Sequence, residues 1–308
     1  MKHILSTLFI ICLIGCSTTT TKTKDMNKFD ITLEPAVFDN KFPALYVHIM
    51  RDGKDEGKLH IRFPEIIEAW NDKEKKSLKF YQDNRYPAWP LSLECEPLEL
   101  PVKWQGDSKS QSYVMKFDNG MTLTSSAKVD GNKVELSHKL FNATDKELKH
   151  LKMWNCMMMP GIPNLADFDV ERTSVKISDE KELFTEQIPE SKSIIGTIKP
   201  ERHRFNAYCD ASQRAYNENP HIGKHPGLPD DLNETIYYWE CPDSIDEPVI
   251  STVSKDGSWG MATQSDNAPS VWTNPGIPCH HSDPTYPLCK AGETAEIKNE
   301  IEFFGKKN

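Results

Sequence analysis

The chain has no apolar run that approaches the ~18 residues of a membrane-spanning helix, which excludes a helical membrane channel. It has no basic block. Its 37 Lys and Arg stand against 46 Asp and Glu, a formal net charge of −9. That balance argues against nucleic acid as a partner, because phosphate-backbone binding needs a basic surface. CxxC pairs are absent, so neither a zinc ribbon nor a thioredoxin-like redox site is expected. No glycine-rich phosphate loop, Gly-x-Ser-x-Gly elbow or EF-hand spacing occurs, so nucleotide, serine-hydrolase and calcium-loop chemistry lack support. Internal repeats and clear linkers are missing too. What is present is an ordinary aromatic content of 9%, too high for a disordered chain.

The first residues carry an address. Met1-Lys2-His3 is a short basic start, and Ile4 to Ile14 is an apolar stretch of signal-peptide length. It ends in Leu13-Ile14-Gly15-Cys16, which resembles a bacterial lipobox with Cys16 as the lipidated (palmitate-bearing) first residue of the mature chain. Ser17 to Lys24 reads as a tether. The expected division is a signal peptide over 1–15, a lipidated Cys and tether over 16–28, and a single β-sandwich domain over 29–308. An acyl anchor attaches a protein to a membrane without spanning it. Ser17, with no acidic run after Cys16, resembles the sorting pattern of outer-membrane lipoproteins facing the periplasm. That compartment permits disulfides among Cys95, Cys156, Cys209, Cys241, Cys279 and Cys289. The Cys279–Cys289 pair, flanking one short loop, is the first expectation, and buried free thiols are the competing one.

The body reads as β. Strand-like stretches are Phe29–Phe38, Ala44–Met50, Tyr113–Phe117, Met121–Val129, Lys133–Phe141, Leu148–Asn155, Ile236–Glu240, Val249–Val253, Trp259–Thr263, Val271–Asn274 and Ala295–Phe304. Asp130-Gly131 marks a hairpin, since glycine supplies the positive φ of a tight turn. Pro64 to Tyr81, with Ile66, Ile67 and Trp70 at helical spacing, predicts a helix. Pro160–Glu171 and Lys199–Asp231 lack periodicity and read as long functional loops.

Two segments carry a resemblance. One is Val134 to Leu148, with Asn142-Ala-Thr-Asp-Lys146 following a strand. The other is Trp272-Thr-Asn274 through Cys279-His-His-Ser-Asp283-Pro284 to Leu288-Cys-Lys-Ala-Gly-Glu-Thr294. Both are similar to sugar-active β-supersandwiches of the galactose-mutarotase-like type, although Ala291 stands where Pro is commoner. The resemblance implies an all-β supersandwich with few short helices. The family hosts epimerases, polysaccharide lyases and non-catalytic sugar binders, so fold alone does not settle the reaction. Together with the lipobox, the whole chain resembles oligosaccharide dehydratases of marine Bacteroidetes ulvan-degradation systems. That resemblance implies a lyase acting on an acidic oligosaccharide and no cofactor, with a metal left open.

Dehydrating a terminal uronic acid needs a base for the C5 proton, an acid for the departing C4 hydroxyl and a cation for the carboxylate. Arg202 and Arg204 suit the carboxylate, and Arg172 is a third clamp or one half of a structural ion pair. His203 titrates near neutrality, and Tyr208 can donate a proton. In an extended chain Arg202, Arg204 and Tyr208 share a face and His203 takes the other. His280 and His281, with Asp283 to fix a tautomer, are the second candidate base. Trp154 and Trp272 are a candidate stacking platform, with burial in the core as the plainer role. His221 and His225 have helical ligand spacing, but Pro220 and Pro226 argue for a loop there. Met157–Met159 reads as core filling.

Overall fold

The computed structural model describes residues 28–38, 40–71, 76–82, 95–148, 151–168, 171–178, 181–184, 198–199, 202–210, 222–224, 236–245, 247–268, 270–273 and 278–306. The segments expected to be a signal peptide and a tether, up to residue 27 and with Cys16 among them, lie outside these residues, as do His221 and His225. Among the described residues every regular element is a strand. The chain runs through β1 (Phe29–Phe38), β2 (Phe42–Arg51), β3 (Lys54–Asn71), β4 (Lys76–Gln82), β5 (Gln105–Asp107), β6 (Ser110–Lys116) and β7 (Thr122–Asp130). It continues with β8 (Lys133–Phe141), β9 (Lys152–Met158), β10 (Thr173–Ser178), β11 (Lys181–Phe184), β12 (Ile198–Lys199) and β13 (Arg202–Asp210). Last come β14 (Ile222–Lys224), β15 (Ile236–Ile245), β16 (Ile250–Val253), β17 (Trp259–Ser265), β18 (Ser270–Trp272), β19 (Cys279–Asp283) and β20 (Thr294–Gly305).

These strands form two sheets. The first has the order β1-β2-β3-β9-β19-β18-β13-β15-β14, with β4 on β3 and β12 on β13. The second runs β11-β10-β16-β17-β20-β8-β7-β6-β5. Pairing is antiparallel except between β13 and β18, which are parallel. The fold is therefore an all-β sandwich, as the strand pattern predicts.

Alternation explains the sandwich. In β7 and β20, buried residues alternate with more exposed ones, so each strand lends one face to the interior. Leu123, Ala127, Leu136, Leu140, Ile297, Ile301 and Phe303 from the second sheet meet Val47, Leu59, Ile61, Phe63, Met153 and Met157 from the first in one continuous core. The β7–β8 hairpin turns at Gly131, whose φ of 60° a side chain would strain.

Four expectations are corrected. The described residues of 64–81 are not a helix: 64–71 belong to β3 and 76–81 to β4, which pair with each other. Ile66 and Ile67 are adjacent and both buried, facing opposite sides of a strand that is covered on each face. Pro64 sits where the β3–β9 register shifts, between Arg62 and Ile66, so it removes no ladder bond. Two such bulges mimic a helical spacing of apolar residues. The few short helices are likewise not found among the described residues. Lys199–Asp231 is not one long loop either, because it contains β13 and β14. Finally, Cys279 and Cys289 are both free and buried, as are Cys95 and Cys156.

Candidate functional site

Strand β19 separates the two candidate histidines. Successive side chains of a strand point to opposite faces. Ser282 bonds to Ser265, and its carbonyl accepts from Asn299, both on the second sheet. His280, two residues away, likewise faces that sheet. Its Nε2 lies 2.7 Å from the Thr252 hydroxyl and its Nδ1 3.2 Å from that of Thr263.

The proton order here follows from the carboxylate at the end of the chain. Thr173 donates to Asp167 (2.8 Å), so it accepts from Thr252. Thr252 then accepts from the His280 Nε2–H, and Nδ1 accepts from Thr263. Neutral imidazole satisfies every link. A charged ring would meet no carboxylate at either nitrogen to offset its burial. Burial, with the nearby His281 charge adding to it, lowers the His280 pKa to about 3. Among the described residues His280 is thus a fully buried hydrogen-bond connector with both ring nitrogens engaged, which argues against its use as the base. His138 plays a parallel role. It lies 2.9 Å from Ser125 and accepts from Asn155 Nδ2 at 3.0 Å, and burial lowers its pKa to about 3.

Cys279, His281 and Asp283 occupy the opposite face of β19, away from the second sheet. On the same face of β9 stand Trp154 and Cys156, and on β3 Arg62, which pairs in register with Cys156. His281 donates its Nδ1–H to Asp283 Oδ1 at 3.1 Å. Asp283 also accepts from Trp272 Nε1 at 2.8 Å through its second oxygen. This fixes the tautomer: Nε2 carries the lone pair of the neutral ring. Trp272 stacks on His281 with centroids 3.4 Å apart and planes 13° apart. Trp154 meets Trp272 edge-on at 5.9 Å. Glu65 Oε2 lies 4.0 Å from His281 Nε2 and its Oε1 3.5 Å from Arg62. His281 is fully buried beneath these groups. Burial opposes its charge, but Cys156 and Asp283 outweigh it and raise its pKa above the ordinary 6.5.

Two thiols complete this cluster. Cys156, Cys279 and His281 present sulfur or nitrogen atoms all within 4.8 Å of one another. The hydrogen bond shared with Cys279, then burial, pushes the Cys156 thiol well above its ordinary pKa. Sequence reading misses this cluster because its cysteines are 123 residues apart and have no motif spacing. The only local hint is Cys279 two residues before His281, the same-face spacing of a strand.

The arginines divide. Arg172 donates to the carbonyls of Asn164 (3.1 Å), Val253 and Ala166 (2.9 Å), and lies 3.5 Å from Asp167. It therefore fastens the 159–168 turn to β16, the structural ion pair of the two readings the sequence leaves open. Arg202, His203, Arg204 and Tyr208 all belong to β13. That strand lies beside β18, with Arg204 opposite Ser270 and Phe205 opposite Val271. The strand bearing these four candidates thus adjoins the strand bearing Trp272, which in turn pairs with His281.

No family model matches the chain, and no curated protein matches it either. Solved structures of similar outline include a galactose mutarotase related enzyme from Lactobacillus acidophilus. It is 11% identical with a TM-score of 0.41, covering 92% of this chain and 99% of that one. A galactose mutarotase-like protein from Lactobacillus casei is 10% identical with a TM-score of 0.42, covering 88% and 99%. The Slr1438 protein from Synechocystis is 10% identical with a TM-score of 0.39, covering 90% and 96%. At these levels none carries an argument about what this chain does.

Proposed function

We propose that this chain is a carbohydrate-active lyase that removes water from the non-reducing-end uronic acid of short acidic oligosaccharides of the ulvan type. The observation that carries the reading is the neighbourhood of β13 and β18. A strand with two Arg, a His and a Tyr in seven residues runs beside the strand that bears half-buried Trp272, whose ring meets that of Trp154. Arg202 and Arg204 hold the substrate carboxylate, Trp154 and Trp272 stack on the sugar, and His203 and Tyr208 move the protons. The base takes the C5 proton, the C4 hydroxyl leaves with a proton from the acid as water, and a C4=C5 double bond remains. Charge building on the carboxylate in the transition state is where the arginines lower the barrier. The overall negative charge disfavours long polyanions, and a local Arg pair still favours a short anionic end. We place the protein at the outer membrane, held by lipidated Cys16 on the periplasmic side, where such oligosaccharides arrive.

The test incubates the full chain in detergent micelles with uronate-terminated ulvan oligosaccharides. The expected product is lighter by one water, absorbs as a conjugated enoate and keeps its chain length. The same absorbance with shortened chains would make the protein a polysaccharide lyase. Interconversion of sugar anomers or epimers without absorbance would make it an epimerase. Binding with no change in any product would make it a glycan-binding lipoprotein.

A further inference from the structure

We propose that Cys156, Cys279 and His281 form a zinc site built into the first sheet beneath Trp272. The argument is geometric. Three residues that commonly ligate zinc converge from two neighbouring strands, with their ligand atoms already within 4.8 Å of one another. All three are buried and rigidly held: β19 and β9 pair through Cys279↔Met158 and His280↔Met157. A tetrahedral zinc holds its ligand atoms about 3.5 Å apart, so closing on the ion takes about 1 Å of side-chain movement and no change of strand register.

A second observation concerns the imidazole. His281 Nε2 is buried and makes no hydrogen bond of sound geometry, though it lies close enough to Cys156 to interact with it, and its ring is fixed from the other side by Asp283. A buried polar nitrogen left in that state costs free energy, and a metal at that lone pair removes the cost. The Asp283–His281 bond is also the arrangement by which proteins orient a metal-binding imidazole, with the carboxylate on the far nitrogen. Asp283 is itself anchored by Trp272 Nε1, so the ring cannot rotate freely. Zinc suits a set of two sulfurs and one nitrogen, whereas calcium and magnesium prefer oxygen. Glu65, with its Oε2 4.0 Å from Nε2, is the nearest carboxylate for a fourth position. Bound zinc replaces one proton on each thiol, so binding releases two protons to solvent. His281, used as a ligand, is not a base, which agrees with its burial and leaves the acid and base of the proposed reaction on β13.

A disulfide between Cys156 and Cys279 is the competing fate. These residues are diagonal neighbours across an antiparallel pair, at a typical Cα separation of about 7–8 Å, longer than a relaxed disulfide spans.

The test is zinc content and affinity of the full chain, purified in detergent under thiol-preserving conditions and titrated with zinc chloride against a chromogenic chelator. We expect one zinc per chain. C156S and C279S should each lower the affinity by at least about tenfold, and D283N by about 10- to 100-fold. C289S, which alters a buried free thiol outside the cluster, should keep the wild-type value. Cobalt substitution of the unmutated chain should give a thiolate-to-metal charge-transfer band, and this reading does not depend on whether any variant folds. Absence of stoichiometric zinc and of that band overturns the proposal. So does zinc retained by both C156S and C279S, or an intact mass two hydrogens light with both thiols resistant to alkylation.

Discussion

On the core side of β19, His280 is held by two threonine hydroxyls; on the other side, His281 is held by a carboxylate, a stacked indole and two nearby thiols. The two rings differ by one residue and are both fully buried. Their partners drive them in opposite directions. Neutral hydroxyls bring no negative charge to offset desolvation, so burial wins at His280 and the ring stays neutral. At His281 the neighbouring acidic groups overcome the same penalty. Depth alone therefore does not decide the protonation of a buried histidine; the chemistry of its nearest atoms does. The comparison also separates tasks. The inner face connects the two sheets through polar links, and the outer face gathers two thiols, a carboxylate-held imidazole and two indoles.

Acid titration gives the largest expected contrast. His280 and His138 have folded pKa values of about 3, below the ordinary 6.5 of the unfolded chain. Below 6.5 the unfolded state binds more protons, so stability falls as pH falls, down to about pH 3. Each ring contributes a slope of about 1.4 kcal/mol per pH unit, so the pair removes on the order of 5 kcal/mol across two units. In the metal-free chain His281 has the opposite sign: its contribution is complete below pH 6.5 and is lost as pH rises through its higher folded value. Urea unfolding across this pH range should show the acid-side slope, and H280A should make it shallower. An unchanged slope in H280A would mean that His280 does not titrate as its surroundings dictate.

Substitution sharpens the contrast. H280A leaves the Thr252 and Thr263 hydroxyls without their ring partner inside the core and should cost about 3 kcal/mol. Its zinc content should be unchanged, whereas H281A should lose zinc. Equal zinc loss in both would erase the division between faces. R172M should cost about 2 kcal/mol, since it strands carbonyls in the turn before β10, and it should leave turnover within about twofold. A larger loss of turnover, with the melting temperature little changed, would return Arg172 to the substrate clamp.

Much of the fold is legible because most strands have one dry face. Phe29–Phe38 and Lys133–Phe141 are strands at the expected boundaries, and β20 alternates along its length. The failures fall where that signal disappears. β19 is buried at all five positions, and its Cys-His-His-Ser-Asp sequence looks like a polar loop. β3 is interrupted by bulges that place Ile66 and Ile67 together. The candidate site was legible in its residue types, not in its grouping. The opposed orientation of adjacent histidines follows from strand geometry alone. The meeting of Cys156 with Cys279 depends on β9 and β19 becoming neighbours, a topological fact with no local sequence signal.

The central claim is that β13, beside the tryptophan pair, carries the reaction. The most direct measurement is kcat/KM of the R202A/R204A double variant on uronate-terminated oligosaccharides, read with its melting temperature. Two charge-assisted contacts to the substrate carboxylate are removed, so kcat/KM should fall on the order of 100-fold or more while the protein stays folded. Full turnover and unchanged KM in the folded double variant would contradict the account and move the site away from β13.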